Sequence, residues 1–206
     1  MGIAARLWEE NRELAEACLR HPFVQGIASG ALERSRFCFY VAQDAYFLEA
    51  FARAYALAMA KCPDREGLGA WKELLDGVLR ELELHAGYAH TWGIDLTPRP
   101  APATEAYTDF LLRVAALDPV GNIAAAMTPC MRLYAYLGQS LEPVARPDSP
   151  YLDWVRTYAS PDFEALAGRL EELLDRYGGE EARLRELYRR AMELEHAFFE
   201  AAWRSA

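Results

Sequence analysis

Apolar residues recur at helical spacing along almost the whole chain, and this pattern constrains the fold more than any other feature of the sequence. No stretch alternates apolar and polar residues over enough positions to predict a strand. The pattern therefore predicts an all-α protein. Glycine, proline and N-capping residues interrupt it at intervals that leave about seven or eight helices. The segments long enough to wall a helical bundle are 35–61, 64–92, 119–141 and 180–203.

Length and charge limit what such a protein can be. The 206 residues, 52% of them hydrophobic and 26% charged, suit one domain spanning 1–206. The net charge of −9 argues against nucleic acid as a partner, because phosphate binding needs clustered Lys and Arg. No apolar run approaches the roughly 18–20 residues of a membrane span, and the N-terminal segment has no signal-peptide core. We expect a cytoplasmic protein that does not bind membranes.

The residues that usually bind metals are poorly arranged for it. The cysteines have no CxxC spacing and are expected to be free thiols; they are Cys18, Cys38, Cys62 and Cys130. A carboxylate-bridged di-iron bundle needs two Glu-x-x-His pairs, and only Glu193 with His196 fits. His85 and His90 lack an accompanying set of carboxylates. The sequence predicts no metal site.

Asp44 lies in an aromatic-rich segment, QDAYFLEAF. One interpretation is an exposed aspartate paired with Arg36 or another surface arginine. The other is a carboxylate inside an aromatic-lined pocket, where it would accept hydrogen bonds from an amino group of a heteroaromatic ligand.

Cys130 follows Pro129 in the segment AAAMTPCMRLYAYLG. A proline within a helix removes one hydrogen-bond donor, so we expect a kink beside this thiol. Tyr134 lies one helical turn further along the same face. A buried cysteine that fills space is the common alternative to a reactive one.

Glu195 is the only charged residue in a stripe of helical spacing near the C-terminus. The stripe consists of Leu184, Leu187, Tyr188, Met192, Glu195, Phe199 and Ala202. Glu193 and Glu200 are expected to face water, and Glu195 could do the same. If it is buried, its tendency to hold a proton is raised, which suits a general acid.

Five segments, taken together, resemble the ordered signature segments of the TenA, or thiaminase II, family. They are HPFVQGIASGAL, FCFYVAQDAYFLEAFA, MTPCMRLYAYLGQSL, WVRTYASPDF and ELEHAFFEAAW. The resemblance runs from about residue 10 to the C-terminus. It implies a haem-oxygenase-like fold, usually a homotetramer, and hydrolysis of thiamin or an aminomethyl aminopyrimidine to the hydroxymethylpyrimidine, with no cofactor.

The resemblance also implies roles for individual residues. Cys130 would be the nucleophile, and Glu195 would be the proton donor and acceptor at a ring nitrogen. Asp44 would be the carboxylate that recognises the amino side of the pyrimidine. The aromatic residues implied to contact the substrate are Tyr107, Tyr134, Tyr158, Phe47 and Phe198. Some members carry a tyrosine where this chain has Phe47, so a hydroxyl is lost there.

The implied chemistry begins with addition of the thiolate to a ring carbon. The lost aromaticity lets ring electrons expel the leaving group from the exocyclic methylene, and water then adds there before the thiolate departs. Two other functions stay open at this point. One is a metal-dependent oxidase on the same scaffold; the other is a pyrimidine-binding or regulatory protein without turnover.

Overall fold

The computed structural model describes residues 2–205, and within them it contains helices and no strand, which confirms the all-α prediction. The helices are α1 (Ile3–Glu10), α2 (Arg12–Arg20), α3 (Pro22–Ser29), α4 (Arg34–Lys61), α5 (Arg65–Trp92), α6 (Pro102–Leu117), α7 (Val120–Leu141), α8 (Leu152–Ala159), α9 (Pro161–Tyr177) and α10 (Glu181–Arg204). The four long predicted segments match α4, α5, α7 and α10 to within one residue at each end.

Local chemistry explains why these boundaries were predictable. The Asp64 carboxylate caps α5 by accepting the Gly67 backbone N–H at 2.9 Å. The same helix ends at Gly93, whose φ of 69° is the left-handed conformation that favours glycine. Ser160 caps α9 in the same way as Asp64 caps α5, and Pro161 follows at its first position.

The predicted number of about seven or eight helices was too low, and the residues before α4 form three short helices. Within residues 2–205 the structure has ten helices. Asn11 ends α1 and donates its side-chain amide to the Leu7 carbonyl at 2.8 Å. His21 is extended, with ψ of 134°, as expected for the residue before Pro22.

Helix α7 lies at the centre of the molecule and packs against α6, α8, α9 and α10. Every residue from 120 to 131 is buried. A helix that is apolar on all sides suits this position, and the small side chains of 124–126 allow its neighbours to approach closely. Cys130 therefore lies on the most enclosed helix of the fold.

Close approach of α8 to α7 depends on Gly138. A Cβ atom at this position would overlap the backbone of Tyr158 and Ala159. The two helices consequently touch backbone to backbone, which brings the Tyr158 ring against that of Tyr134, with centroids 4.7 Å apart.

None of the helices among the described residues combines the length and the apolar character needed to cross a membrane.

Candidate active site

A narrow, mostly apolar pocket lies between α4, α5, α7, α8 and α9. Its walls contain two carboxylates, one thiol and seven apolar or aromatic side chains. The lining residues are Asp44, Phe47, Leu48, Phe51, Glu81, Cys130, Met131, Tyr134, Tyr158 and Phe163. Helices distant in sequence thus bring acid groups and a thiol into one water-poor space, where charges interact strongly.

Asp44 is buried, with 4% of its surface exposed, and pairs with a histidine on the neighbouring helix. Its Oδ2 atom lies 2.7 Å from His85 Nε2, and His85 Nδ1 lies 2.9 Å from the Glu81 carbonyl oxygen. Since that carbonyl only accepts, Nδ1 carries a hydrogen. Burial by itself lowers the pKa of His85, but the hydrogen bond to Asp44 and the charges of Asp44 and Glu81 raise it to about 9. At neutral pH the pair is therefore an aspartate held by an imidazolium.

Glu81 lies one helical turn before His85 and carries the second carboxylate of the pocket. The Tyr158 hydroxyl donates to Glu81 Oε1 at 2.5 Å. Burial and the nearby charge of Asp44 raise the pKa of Glu81 to about 7, while the His85 cation opposes them.

Cys130 faces the third carboxylate, Glu195, on α10. The two side chains are close enough for each to shift the pKa of the other, and Glu195 Oε1 accepts from the Tyr107 hydroxyl at 2.6 Å. Burial raises the pKa of Glu195 to about 7. Burial and the carboxylates of Glu195 and Glu81 raise the pKa of the Cys130 thiol well above its usual range. The resting cysteine is a neutral thiol beside a group that can take its proton.

Tyr134 is oriented by a chain of hydrogen bonds that begins at Trp154. The Trp154 indole N–H donates to the Tyr40 hydroxyl at 3.2 Å, and Tyr40 donates to the Tyr134 hydroxyl at 3.1 Å. The Tyr40 oxygen therefore accepts from the indole, and its own hydrogen goes to Tyr134. The Tyr134 hydrogen is thereby left available to the pocket.

Comparison with known proteins identifies the family of the chain. The model of the TENA/THI-4/PQQC family matches residues 8–205. The chain belongs to the TENA/THI-4/PQQC family. An aminopyrimidine aminohydrolase from Halalkalibacterium halodurans is 35% identical to it, over 98% of this chain and 96% of the relative.

Solved structures resemble this TENA/THI-4/PQQC member over nearly its whole length. A TenA homologue from Pyrococcus furiosus superimposes with a TM-score of 0.91 at 25% identity, covering 98% of this chain and 100% of that one. Haem oxygenase-1 from the cyanobacterium Synechocystis, in complex with haem, has a TM-score of 0.66 at 18% identity, covering 98% and 92% respectively. The second likeness shows the fold alone, which is the haem-oxygenase-like fold that the sequence resemblance implied.

The structure brings together the residues that the sequence resemblance selected in this TENA/THI-4/PQQC member. Five of them line the pocket, namely Asp44, Phe47, Cys130, Tyr134 and Tyr158. The other three are buried next to that wall: Glu195 against Cys130, Tyr107 against Glu195, and Phe198 against Phe47 with ring centroids 6.0 Å apart. Asp44 is paired with His85 and does not lie at the surface with an arginine, so the exposed interpretation was wrong.

Two site residues were missed. His85 was judged to lack an accompanying carboxylate set, yet it contacts Asp44 directly. Glu81 was not considered, although it follows Trp71, Leu74 and Val78 at helical spacing on the buried face of α5. The same signal that selected Glu195, a charged residue within an apolar stripe, would have found Glu81.

The remaining observations concern the tyrosine of α8, the histidines and the cysteines. The Tyr158 hydroxyl donates to Glu81. His196 packs on His21, with ring centroids 5.4 Å apart. All four cysteines are free, as predicted. Among residues 2–205, no three or more His, Cys, Asp or Glu side chains are grouped so that they could hold a metal ion.

Proposed function

We propose that this protein is an aminopyrimidine aminohydrolase of the thiaminase II type. It would hydrolyse an aminomethylpyrimidine or thiamin to 4-amino-5-hydroxymethyl-2-methylpyrimidine through a covalent adduct with Cys130. The observation that carries the proposal is the buried Cys130 thiol against Glu195, in the same pocket as the Asp44–His85 pair. The name of the relative from Halalkalibacterium halodurans supports the same reaction.

The position of Glu195 suits a proton carrier between the thiol and the substrate ring. With a pKa of about 7, its carboxylate is well matched to proton transfer near neutral pH. It would accept the Cys130 proton as sulfur attacks the ring carbon, and a ring nitrogen would receive that proton. The neutral resting thiol then becomes a nucleophile only when substrate is in place.

Asp44 would read the amino group of the pyrimidine. The imidazolium of His85 occupies Oδ2, which leaves Oδ1 as an acceptor for a substrate N–H. A carboxylate offers no donor, so it discriminates in favour of an amino substituent. The Tyr134 hydroxyl, which belongs to the same pocket lining, would donate a hydrogen bond to the substrate.

The charge of the pocket fits a cationic substrate. Three carboxylates, those of Asp44, Glu81 and Glu195, share the region with one imidazole, that of His85. An aminomethyl group is an ammonium ion at neutral pH, and the thiazolium of thiamin is permanently positive. Either would stabilise the anionic forms of the three acids and favour loss of the thiol proton.

Two further properties belong to the proposal and rest on the sequence. A cytoplasmic location was expected from the N-terminal sequence pattern, and a homotetramer was implied by the family resemblance. Light scattering at four times the 23.2 kDa chain mass would test the tetramer.

A pyrimidine-binding protein without turnover is the second candidate. The raised pKa of the Cys130 thiol favours it, because a protonated thiol is a weak nucleophile. Phe47 also favours it, since its ring packs on Tyr107 with centroids 4.7 Å apart and offers no hydroxyl to the site.

Parallel assays separate the two candidates. Ammonia release from the aminomethylpyrimidine and thiazole release from thiamin should both be measured for the parent protein and for Cys130→Ser. We expect turnover of at least one substrate by the parent and none by the variant, which should still bind the hydroxymethylpyrimidine. Cys18→Ser is the matched control, because Cys18 is also buried but does not line the pocket. Binding without turnover by the parent would favour the second candidate.

A further inference from the structure

The pocket adjoins a groove on the protein surface and shares part of its lining. The groove runs between α5, α8 and α9 and has a volume of about 480 Å³, whereas the pocket has a free volume of about 10 Å³, roughly the space of one water molecule. Three side chains line both spaces and form the neck between them, namely Glu81, Met131 and Phe163. A ring therefore enters the pocket only if the lining side chains move, and a bulky substituent on that ring has room only on the groove side of this neck.

Glu81 lies at the neck without a cation close to it. Asp44 has His85 at 2.7 Å. Glu195 and Glu81 each accept a hydrogen bond from a tyrosine hydroxyl instead, and no ion pair within 4.0 Å is found for Glu81 among residues 2–205. Unlike Glu195, Glu81 lines both the pocket and the groove. Its pKa of about 7 leaves it partly protonated near neutral pH, and a positively charged ligand at the neck would stabilise its ionised form.

Most of the charged residues that line the groove are carboxylates. They are Glu73, Glu81 and Asp162, with the cation Arg80, and Glu73 pairs with Arg169 at 3.1 Å. A positively charged group in the groove would therefore be attracted chiefly by Asp162 and by Glu81 at the neck.

We propose that Glu81 is a specificity-determining residue that binds the cationic leaving group on the exocyclic methylene of the substrate, with the α5–α8–α9 groove accommodating larger leaving groups. The inference rests on the proposed function and names the part of the substrate that this carboxylate recognises.

The two leaving groups differ in how much their departure depends on the charge of Glu81. When the carbon–nitrogen bond breaks, its electron pair goes to nitrogen, so an ammonium departs as neutral ammonia and a thiazolium departs as neutral thiazole. Without a proton the amine would have to leave as an amide anion. The Glu81 carboxylate holds the amine in its protonated form, whereas the thiazolium carries its charge regardless. Hydrolysis of the amine should therefore depend on Glu81 more than hydrolysis of thiamin does.

Glu81→Gln tests this assignment, because it keeps the shape and the hydrogen bond from Tyr158 but removes the charge. We expect kcat/KM for the aminomethylpyrimidine to fall by roughly tenfold or more, as for loss of a partly buried charge pair. The fall for thiamin should be clearly smaller. Affinity for the neutral hydroxymethylpyrimidine, measured by calorimetry, should stay within about twofold. Glu83→Gln is the matched control, since Glu83 lies on the exposed side of α5.

Other outcomes would overturn the inference. Equal losses for both substrates together with weaker product binding would make Glu81 a structural residue, and unchanged kinetics for both would remove it from the site. A parent protein that hydrolyses neither substrate would refute the proposed function instead. A binding measurement with the Cys130→Ser protein tests the same role without a Glu81 variant. This protein should bind the aminomethyl compound roughly tenfold more tightly than the hydroxymethyl compound. Equal affinities for the two compounds would refute the role of Glu81.

Discussion

Replacing Glu195 with Gln should make the protein more stable at neutral pH while it abolishes turnover. Burial raises the pKa of this carboxyl from 4.5 to about 7 in the folded protein. Between those two values the folded state holds a proton that the unfolded chain has lost. The free energy of unfolding contributed by Glu195 therefore falls as the pH rises through this window.

The size of the effect follows from the same shift. Each pKa unit corresponds to about 1.4 kcal/mol, so ionising buried Glu195 lowers the free energy of unfolding by roughly 3 kcal/mol at pH 8. Near pH 5, where the folded group is still protonated, the loss is about 1 kcal/mol. A glutamine retains an oxygen that can accept from Tyr107, but it has no charge to desolvate. The gain in stability of Glu195→Gln over the parent should therefore grow by roughly 2 kcal/mol between these pH values, or about 4–8 °C in melting temperature.

Urea denaturation of the parent and Glu195→Gln at both pH values measures this difference directly. Glu193→Gln is the control, because Glu193 is exposed on the same helix and its replacement should have a small effect on stability. The reasoning is refuted if the Glu195→Gln gain is the same at pH 5 and pH 8, or if this variant is less stable than the parent at pH 8.

Recognition, packing and metal dependence each have their own test. Asp44→Asn should weaken binding of the hydroxymethylpyrimidine by roughly tenfold, since the amide also presents donors, and should lower stability because buried His85 loses its anionic partner; unchanged affinity of the folded variant by calorimetry would remove Asp44 from recognition. Gly138→Ala should cost about 1–3 kcal/mol of stability in thermal denaturation, because its Cβ would overlap the backbone of Tyr158. Gly168→Ala meets no atom within 4 Å and should instead gain about 0.5–1 kcal/mol, so equal effects of the two alanines would contradict this account. Extensive chelation should leave turnover intact, and activity that is lost and then restored by iron would support a metal-dependent oxidase.

Much of the fold was predictable because its causes are local. Helical spacing, the cap at Asp64 and the left-handed glycine at the end of α5 act within a few residues of where they occur. The long helices were therefore located from the sequence. The boundaries between the short N-terminal helices were not predicted, although both have local signals. Asn11 ends α1, and the extended His21 before Pro22 separates α2 from α3.

Part of the site was predictable for the same reason. Periodicity indicated that Glu195 faces inward, and in the structure it is 1% exposed. The family resemblance then selected Cys130 and Asp44, which share one pocket. Spacing along a helix determines which face is buried, and a carboxylate on that face must be satisfied by some neighbour.

Only the tertiary structure decided which neighbour that is. Asp44 and His85 are 41 residues apart, and Tyr107 and Glu195 are 88 apart; helical periodicity carries no information about which helices meet or at what height. The pairing of α4 with α5 turns a histidine with no visible partner into an imidazolium that holds Asp44, and it leaves Glu81 without a cation at the neck of the pocket. The proton affinities of these groups depend on how completely water is excluded around them and on charges that reach across several helices, and both are properties of the packed molecule.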